Sequence, residues 1–361
     1  MKPNIPYTPS LLPLDGIDYN LFHRELTKAT QAITKYSAAL QSTKIDTDLL
    51  LTPLLRREAM YSTRIEGTQS TLEDIYQEEA LENSSKNNDI NEVLNYLKAL
   101  IYAERYINDS PITTRLFHQI HTILLTNAKR SSTSILGEFR SSEVYIGGGK
   151  ERMYTPPIAS QINDLISNLE KYINDNETDD PLVKTAIIHA QFESIHPYRD
   201  GNGRVGRVLI PVCLYKFGII PGVHFFLSKT LEEERYRYYD LLNGTRSDNI
   251  EGWINWIVFF LNKIEKQGKE ESALLKRIEE LYDRVLLQCK TFTSPKSISI
   301  IKAIFKTPIF TIRKLYEATN INEITIRNNV KKLMEAKIVY SDNRSRNKNY
   351  YFYALLDVLK S

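Results

Sequence analysis

Residues 196–207 read HPYRDGNGRVGR, and this stretch says most about both the architecture and the chemistry of the 361-residue chain. An apolar helical pattern ends just before it and another begins within it, which predicts two helices joined by a tight loop. The loop holds an imidazole, a carboxylate, two glycines that flank an asparagine, and two arginines three residues apart. Each of these groups alone is typical of packing, but their convergence in one short segment favours a functional site.

The glycine-rich part of the loop is suited to hold a polyphosphate. Gly201 and Gly203 allow the backbone to turn tightly and approach a ligand, and the helix that follows directs free N–H groups at the same point. Arg204 and Arg207 share a face of that helix, where they can donate charge-assisted hydrogen bonds to successive phosphates. The pattern therefore predicts a diphosphate or triphosphate ligand.

Two further groups supply reactivity beside this loop. Asp200 offers a hard oxygen ligand, and Mg²⁺ typically takes one or two carboxylates together with phosphate oxygens and water. His196 has an ordinary pKa of about 6.5, which suits it to take a proton from an attacking hydroxyl near neutral pH. The sequence predicts a magnesium nucleotide as substrate and transfer of a phosphorus-centred group to an alcohol.

Helical periodicity dominates the chain up to about residue 290 and predicts a mainly α protein, built as a helical bundle. Pro211 falls inside the helix after the loop and predicts a kink or an early break there. His118, His121 and His189 lie in apolar helical patterns and are expected to be hydrogen-bonded core residues. The predicted helices lie near 17–41, 46–66, 87–108, 111–127, 158–175, 182–194, 203–217, 229–243 and 250–266, followed by a charged connecting helix over 268–290.

Residues 142–157 break the helical pattern and predict a short β-hairpin with a glycine tip at 147–149. Two interpretations are open. The hairpin is either an inert surface loop or an edge strand beside a site that binds an extended peptide by strand addition.

Residues 301–361 carry twelve lysines and arginines against five acidic residues, an excess of seven positive charges in a chain whose net charge is +3. Two short helices near 311–318 and 323–336 precede strands around 338–340 and 350–353, which is the order of a winged helix-turn-helix. This surface fits DNA, and the alternative is a solvated face on a packing or dimerisation module. The side chains expected on the second helix and on the wing are Thr325, Arg327, Asn328, Lys331, Arg344, Arg346 and Lys348.

Composition is that of a soluble globular protein, with 42% hydrophobic and 25% charged residues. Cys213 and Cys289 are the two cysteines, and they form neither a disulfide framework nor a thiolate metal site. The N-terminus lacks the apolar core of a signal peptide, and the richest apolar run is too short to span a bilayer. These features predict a cytoplasmic protein with no membrane partner.

Residues 196–207 resemble the signature of Fic domain proteins, His-Pro-Phe-x-Asp/Glu-Gly-Asn-Gly-Arg-x-x-Arg, with Tyr198 in place of the phenylalanine. The resemblance extends over most of residues 50–265. It implies a Fic-type helical bundle with a short β-hairpin flap. It also implies transfer of AMP from Mg-ATP to a Ser, Thr or Tyr hydroxyl of a protein, the enzyme itself included, with release of pyrophosphate. Mn²⁺ is an alternative to Mg²⁺.

The resemblance assigns roles residue by residue. His196 resembles the general base and Asp200 the metal ligand. Residues with implied nucleotide contacts are Glu66, Gly201, Asn202, Gly203, Arg204, Val205, Gly206, Arg207, Tyr238, Tyr239 and Arg246. Residues that resemble the target-positioning flap are Val144, Tyr145, Ile146 and Gly147.

Residues 62–67, Ser-Thr-Arg-Ile-Glu-Gly, fit the family's inhibitory pattern Ser/Thr-x-x-x-Glu-Gly/Asn. Ser62 and Glu66 lie one helical turn apart, and Gly67 is a good helix terminator. A glutamate at such a position is ordinarily solvated. Beside the Fic signature, the resemblance implies an ion pair from Glu66 to Arg207 that keeps this arginine from the γ-phosphate of ATP.

The expected organisation is an N-terminal helical region over 1–110 with the inhibitory helix around 52–67, a Fic core over 111–267, a connecting helix over 268–294 and a winged helix over 295–361. The predicted function is that of an autoinhibited protein adenylyltransferase. Its alternatives are removal of AMP from modified proteins with the help of Glu66, and a DNA-binding regulator whose Fic domain senses nucleotide. A homodimer is a further expectation that the sequence leaves open.

Overall fold

The computed structural model describes residues 5–80, 87–128, 135–147, 154–175, 178–247, 249–289, 294–344 and 347–360. Within these ranges the protein is mainly helical, as the periodicity predicts. The helices up to the end of the predicted connecting segment are α1 (His23–Gln41), α2 (Thr47–Ile65), α3 (Leu72–Ala80), α4 (Asn88–Asp109), α5 (Thr114–Leu125), α6 (Ile162–Asp175), α7 (Pro181–Ile195), α8 (Asn202–Lys216), α9 (Ser228–Glu232), α10 (Arg235–Gly244) and α11 (Ile250–Gln288).

The remaining elements combine helices with short strands. They are α12 (Pro295–Lys306), β1 (Ile309–Phe310), α13 (Ile312–Thr319), α14 (Glu323–Glu335), β2 (Tyr340–Ser341), β3 (Tyr350–Tyr351) and α15 (Tyr353–Lys360). The strands form one antiparallel sheet in the order β1-β3-β2, with Ile309 opposite Tyr351 and Tyr340 opposite the same residue. Helices α13 and α14 and strands β2 and β3 correspond to the two helices and two strands that the sequence predicts. Strand β3 is shorter than predicted: it ends at Tyr351, and α15 begins at Tyr353.

The loop at 196–201 joins the two most enclosed helices of the bundle. From Leu182 to Ile195, α7 is buried on every side, because it packs against α6, α8 and α11. Helix α8 is buried at almost every position from Asn202 to Leu214. The two ends of this loop are therefore anchored in the packed core of the bundle.

The predicted break between helices 250–266 and 268–290 is wrong. Helix α11 runs without interruption from Ile250 to Gln288. Its Gly268 is buried, and a Cβ at that position would lie 2.9 Å from the backbone carbon of Ala32 in α1. The glycine thus serves close packing of α11 on α1 rather than helix termination.

The early break predicted at Pro211 is also wrong, since α8 continues to Lys216. Proline removes one helical hydrogen bond, but the surrounding residues Val208 to Leu214 are all buried in the core. Tertiary packing outweighs the local preference here.

Several short elements were not predicted or were predicted as one. Helices α3, α12 and α15 and strand β1 have no counterpart in the sequence prediction. Residues 229–243, predicted as one helix, form two helices that separate at Glu233 and Glu234. Among the described residues, no helix combines the length and the apolar character needed to cross a membrane.

Candidate active site at the junction of α7 and α8

Two residues in the left-handed backbone region shape the loop between α7 and α8. His196 caps α7 with φ 49° and ψ 60°, and Gly201 precedes α8 with φ 82°. The left-handed region is open to glycine without cost but strains most other residues. The loop therefore turns sharply at both ends and leaves the first turn of α8 facing the side chain of Asp200.

The side chain of Asn202 closes this loop from within. Its Oδ1 accepts a hydrogen bond from the Tyr198 N–H at 2.9 Å, and its Nδ2 donates to the Tyr198 carbonyl at 2.8 Å. Asp200 Oδ1 accepts from the Gly201 N–H at 2.7 Å. The amide of Asn202 is thus committed to the loop backbone, while the N–H groups of the first turn of α8 remain the anion-binding feature.

Two histidine rings of α5, His118 and His121, pack against Tyr198 of the loop. The His121 ring stacks on Tyr198 with 3.9 Å between centroids. Its Nδ1 accepts from the Gly137 N–H at 3.0 Å, so its Nε2–H donates to the Asp200 carbonyl at 3.1 Å. Burial lowers the pKa of His121 to about 4, which keeps it neutral. His121 is thus a buried, hydrogen-bonded core residue, as predicted, whereas His118 is only partly buried and bonds to the Tyr198 hydroxyl at 2.9 Å.

Arg207 of α8 is bound by Ser62 and Glu66, through an ion pair and hydrogen bonds. Its side chain is 1% exposed, and its Nη2 donates to Glu66 Oε1 at 2.7 Å. Its Nε donates to Ser62 Oγ at 2.8 Å, and Nη2 also donates to the Ser62 carbonyl at 3.0 Å. Burial by itself would lower the pKa of this guanidinium, but the Glu66 carboxylate together with the nearby tyrosines Tyr238, Tyr239 and Tyr96 raises it overall. The segment 62–67 and the loop 196–207 therefore meet at this arginine.

Glu66 lies at the end of α2, where Gly67 adopts φ 100° and the helix stops. Its carboxylate reaches the first turn of α8, because a Cβ built on Gly203 would lie 2.5 Å from Glu66 Oε1 and 2.9 Å from Arg207 Nη1. Gly203 thus leaves room for an anion at the positive end of a helix. In this structure the anion is the protein's own Glu66.

Arg204 has a partner that the sequence did not indicate. Its Nη1 donates to Glu92 Oε2 of α4 at 3.0 Å, and its Nη2 lies 3.8 Å from Asp200 Oδ1. The Arg204 side chain is 1% exposed. Because Glu92 lies in an amphipathic helix 112 positions earlier in the chain, its pattern looked like that of a solvated glutamate.

The His196 imidazole is half-buried and surrounded by charge. Burial lowers its pKa to about 3, with Arg246 and then Arg140 acting in the same direction and Glu66 opposing them. Glu193, one turn earlier in α7, is buried, and burial raises its pKa to about 7. His196 is therefore an unprotonated base at neutral pH, and Glu193 changes charge in that range.

The predicted hairpin at 142–157 is anchored by one bridge. Ile146 and Tyr154 exchange backbone hydrogen bonds of 2.9 and 3.0 Å. Val144 is half-buried, Gly147 is exposed, and the Tyr145 side chain is 47% exposed with its hydroxyl bonded to Glu143. The tip at 148–153 lies outside the described residues.

Tyr238, Tyr239 and Arg246, the implied nucleotide contacts outside residues 66 and 201–207, occupy different environments. Tyr238 is buried, and its hydroxyl donates to Nε2 of His189, whose Nδ1–H donates to the Gly206 carbonyl. Tyr239 is partly buried next to the charges of Glu66 and Arg207. Arg246 is buried and donates to the Glu193 carbonyl near the end of α7. Val205 is fully buried and contributes to the core.

The residues present suit a magnesium ion that arrives with a nucleotide. The Asp200 side chain is 24% exposed at the entrance to α8, so it can offer an oxygen to an ion at the phosphates. Among the described ranges, no group of three histidine, cysteine or carboxylate side chains could hold a metal alone. One carboxylate completed by phosphate oxygens and water is a common Mg²⁺ arrangement.

Two protein-family models match consecutive segments of the chain. A model of the Fic/DOC family N-terminal region matches residues 23–105, and a model of the Fic/DOC family matches residues 111–214, so that together they span just over half of the chain. The second match contains the loop at 196–207, and the first contains residues 62–67.

Relatives and solved structures agree with these matches. The chain is 30% identical over 123 residues to the protein adenylyltransferase Fic of Aedes aegypti, covering 34% of the chain and 22% of that protein. It is 29% identical over 175 residues to a probable protein adenylyltransferase of Aquifex aeolicus, covering 47% of the chain and 49% of that protein. The chain thus matches about half or less of these relatives' lengths.

Two solved structures share the fold. A Fic family protein from Desulfovibrio desulfuricans G20 superposes with a TM-score of 0.57 at 20% identity, over 96% of this chain and 98% of that one. Fic-1 of C. elegans superposes with a TM-score of 0.51 at 19% identity, over 71% and 73%. The matched family models, the loop geometry and the shared fold lead to one conclusion: the chain belongs to the Fic/DOC family.

Proposed function

We propose that this protein is an adenylyltransferase that transfers AMP from Mg-ATP to a hydroxyl group of a protein and that Glu66 inhibits it. The observation that carries the proposal is the convergence of a neutral imidazole, a glycine-lined helix N-terminus and a buried arginine paired with an internal carboxylate. The relatives named adenylyltransferase support the same reaction class.

The proposed reaction joins the hydroxyl oxygen of the target to the α-phosphorus of ATP and breaks the bond from that phosphorus to the bridging oxygen. Pyrophosphate leaves, and the hydroxyl proton passes to the His196 imidazole. The N–H groups at the start of α8 bind the α-phosphate, and Arg207 binds the terminal phosphates once it is free. A magnesium ion held by Asp200 would neutralise phosphate charge.

Inhibition in this proposal comes from competition between two anions for one site. Glu66 occupies the space beside Gly203 and two donors of Arg207 point to Ser62 and Glu66, so a γ-phosphate must displace the carboxylate. ATP that binds without this arginine would lie away from the line of attack. Small misplacements of reacting groups cost large factors in rate.

The test uses ATP labelled on either the α- or the γ-phosphate, with Mg²⁺, and compares wild type, Glu66→Gly and Glu66→Gly/His196→Ala. We expect protein-bound label from α-labelled ATP only, high for Glu66→Gly and at background for the double variant. Label from γ-labelled ATP would mean phosphate transfer instead. Equal labelling by Glu66→Gly and the double variant would refute the proposal.

Removal of AMP is the second candidate, because the Glu66 charge acts on the His196 imidazole across the site. In that reaction Glu66 would orient a water towards the phosphorus of an AMP-modified side chain, and the side-chain oxygen would leave with a proton. A target protein modified in advance separates the two activities. AMP release that requires Glu66 supports removal, and release unaffected by Glu66→Gly excludes it.

The face of α14 supports a second partner, double-stranded DNA, for residues 295–361. Arg327, Asn328 and Lys331 are exposed on one side of α14. The Arg327 charge also acts on Tyr350 of β3, so this face of the helix adjoins the strand pair that carries Arg344 and Lys348. Lysines and arginines on one surface are the usual basis of phosphate contacts. Arg346 lies outside the described residues.

Binding of labelled duplex DNA at several salt concentrations tests this second partner. We expect affinity that falls with salt and a salt slope smaller by about one for Lys331→Ala, because each lysine–phosphate contact releases about one counterion. Lys276→Ala, an exposed lysine on α11, is the matched control and should leave the slope unchanged. Wild-type protein that binds no DNA at low salt would favour a protein partner for this face.

A further inference from the structure

The last carbonyl groups of α7 are capped by side chains from outside the helix. A helix leaves its final C=O groups without helical partners, and they carry the negative end of its dipole. Here Glu193 O accepts from Arg246 Nη2 at 3.3 Å and Ser194 O accepts from the Tyr154 hydroxyl. The caps matter because His196 follows directly and takes its position from this helix end.

Arg140 makes the densest set of these contacts. Its Nε donates to the His196 carbonyl at 2.9 Å, and its Nη2 lies 3.5 Å from the Ile195 carbonyl. The same guanidinium donates to the Ser142 carbonyl at 3.2 Å and to the Pro157 carbonyl at 2.6 Å. These residues are the two ends of the hairpin segment 142–157, which is called the flap below. Its side chain therefore ties both flap ends to the helix end that presents the base.

The backbone and neighbours of Arg140 strengthen this connection. The Arg140 N–H donates to the Pro197 carbonyl at 2.9 Å, and the residue is 6% exposed. On the other side, the Arg246 guanidinium stacks 3.9 Å above the ring of Tyr154, which is the flap residue paired with Ile146. The buried guanidinium groups of Arg140 and Arg246 therefore hold the flap where it joins the rest of the protein, Arg140 through carbonyl groups and Arg246 through the Tyr154 ring.

We infer that Arg140 is a positioning residue that fastens the flap to the end of α7 and so sets the distance between a bound target and His196. The inference deepens the proposed function, on which its kinetic part rests. Lysine has one compact ammonium group, so it cannot reproduce the fork of donors that reaches both the helix end and the flap. Charge and geometry at this position are therefore separable by substitution.

The charge of Arg140 gives a second expectation. The charged groups that act on His196 are Arg246 after α10, Arg140 before the flap and Glu66 after α2, while Glu193 in α7 acts through its backbone. The two arginines lower the pKa of His196, so loss of one cation should raise it. Since the base acts unprotonated, the acid side of the rate profile should then move to higher pH.

The experiment compares Arg140→Lys and Arg140→Met in the Glu66→Gly protein, with Arg199→Met as control. Arg199 is an exposed arginine of the same loop. Amide hydrogen exchange of Ile146 and Tyr154 reports the flap without any need for catalysis. AMP transfer is followed with α-labelled ATP at varied pH, and ATP affinity is measured separately.

We expect flap amides to exchange about tenfold faster in both Arg140 variants and unchanged in Arg199→Met. AMP transfer should fall about tenfold with ATP affinity within about twofold of the parent. Only Arg140→Met should move the acid side of the profile, because Arg140→Lys keeps the charge.

Unchanged exchange in Arg140→Lys, which conserves charge and size, would overturn the inference, as would an equal pH displacement in Arg140→Lys and Arg140→Met. A Glu66→Gly parent with no AMP transfer would count against the proposed function alone. The exchange rates would then still decide whether Arg140 fastens the flap.

Discussion

Arg207 pairs with the Glu66 carboxylate, and under the proposed function a substrate phosphate competes for the same guanidinium. The guanidinium is buried, so it needs a negative partner at all times, and the removal of one partner from a buried ion pair typically costs about 3–5 kcal/mol. Glu66 is the more exposed partner, with 23% of its side chain accessible. A phosphate can therefore replace Glu66 while Arg207 itself stays in place.

Ser62→Ala should weaken this inhibitory contact without removing its charge. The Arg207 Nε–H would lose its acceptor in a buried position, which costs about 1–3 kcal/mol of unfolding free energy. We expect lower stability in urea denaturation and AMP transfer above the wild-type level. The control is Ser37→Ala in α1, which should change neither quantity. A Ser62→Ala protein as stable and as inactive as wild type would contradict this account.

Glu193 should make stability depend on pH near neutrality. Burial raises its pKa to about 7 from an ordinary 4.5, so the folded protein holds the proton more tightly than the unfolded chain. The stabilising contribution is complete below about pH 4.5 and is lost as the pH rises through 7. Glu193→Gln, which mimics the protonated form, should be more stable than wild type by roughly 2 kcal/mol at pH 8. The difference should shrink at pH 5.5, and a difference independent of pH would contradict the prediction.

The residues of the site differ in how far the sequence could predict them. His196, Asp200 and Arg207 follow from chemistry concentrated in one segment. Glu92 and Arg140 do not, because their roles depend on partners that are distant in the chain, and each alone looks like a solvated charge. A signal for Arg140 existed in its position directly before the predicted hairpin, at the point where a loop must be fixed to the scaffold.

At the level of elements, the loop between α7 and α8 depends on one internal amide. Asn202 satisfies both the N–H and the C=O of Tyr198, which are buried. The loop then presents His196 on one side and the start of α8 on the other. The side-chain amide of Asn202 therefore helps to fix the position of His196 relative to the start of α8.

Asn202→Ala should loosen this loop. Two buried backbone groups of Tyr198 would lose their partners, which we expect to cost roughly 2–4 kcal/mol in urea denaturation. Asn202→Asp keeps the acceptor and should lie between Ala and wild type. In the Glu66→Gly background, AMP transfer should fall about tenfold or more for Asn202→Ala. Asn328→Ala, at an exposed position of α14, is the control. An Asn202→Ala protein with wild-type stability would contradict the account.

The sequence predicts the kind of element more reliably than its limits. Amphipathic periodicity identified the long helices because one apolar face is visible locally. The continuity of α8 through Pro211 and of α11 through Gly268 was missed, since both depend on packing against other helices. The nine-residue α3 was missed because short helices carry little periodic signal.

At the level of the whole molecule, the C-terminal elements pack on α2, which carries Ser62, and on α3, which follows Glu66. Helix α12 packs on α2, β1 packs on α3, and α15 packs on α2, α3 and α11. Lys306 also pairs with Asp48 near the start of α2 at 3.1 Å. Helix α2 is therefore supported at its start by the C-terminal elements and at its end by Arg207.

Phe305→Ala should destabilise the molecule as one unit. Phe305 is fully buried. Its ring packs edge-to-face against Tyr282 of α11 and against Phe352, with 5.1 Å between ring centroids in each pair. A phenylalanine truncation in such a core costs about 3–5 kcal/mol. Tryptophan fluorescence, which reports Trp253 and Trp256 of α11, and far-UV circular dichroism should shift together to lower urea. Loss of helix before any change in fluorescence would indicate that residues 295–361 unfold separately.

Intact-mass spectrometry after exposure to Mg-ATP can show whether Glu66 prevents AMP transfer by His196. With the Glu66→Gly variant, we expect the mass of an AMP group to be added either to the variant itself or to an added target protein. Wild type should gain little, and Glu66→Gly/His196→Ala should gain none. Glu66→Gly protein and added proteins that keep their original masses, or gain the same mass without His196, would contradict the proposed inhibition.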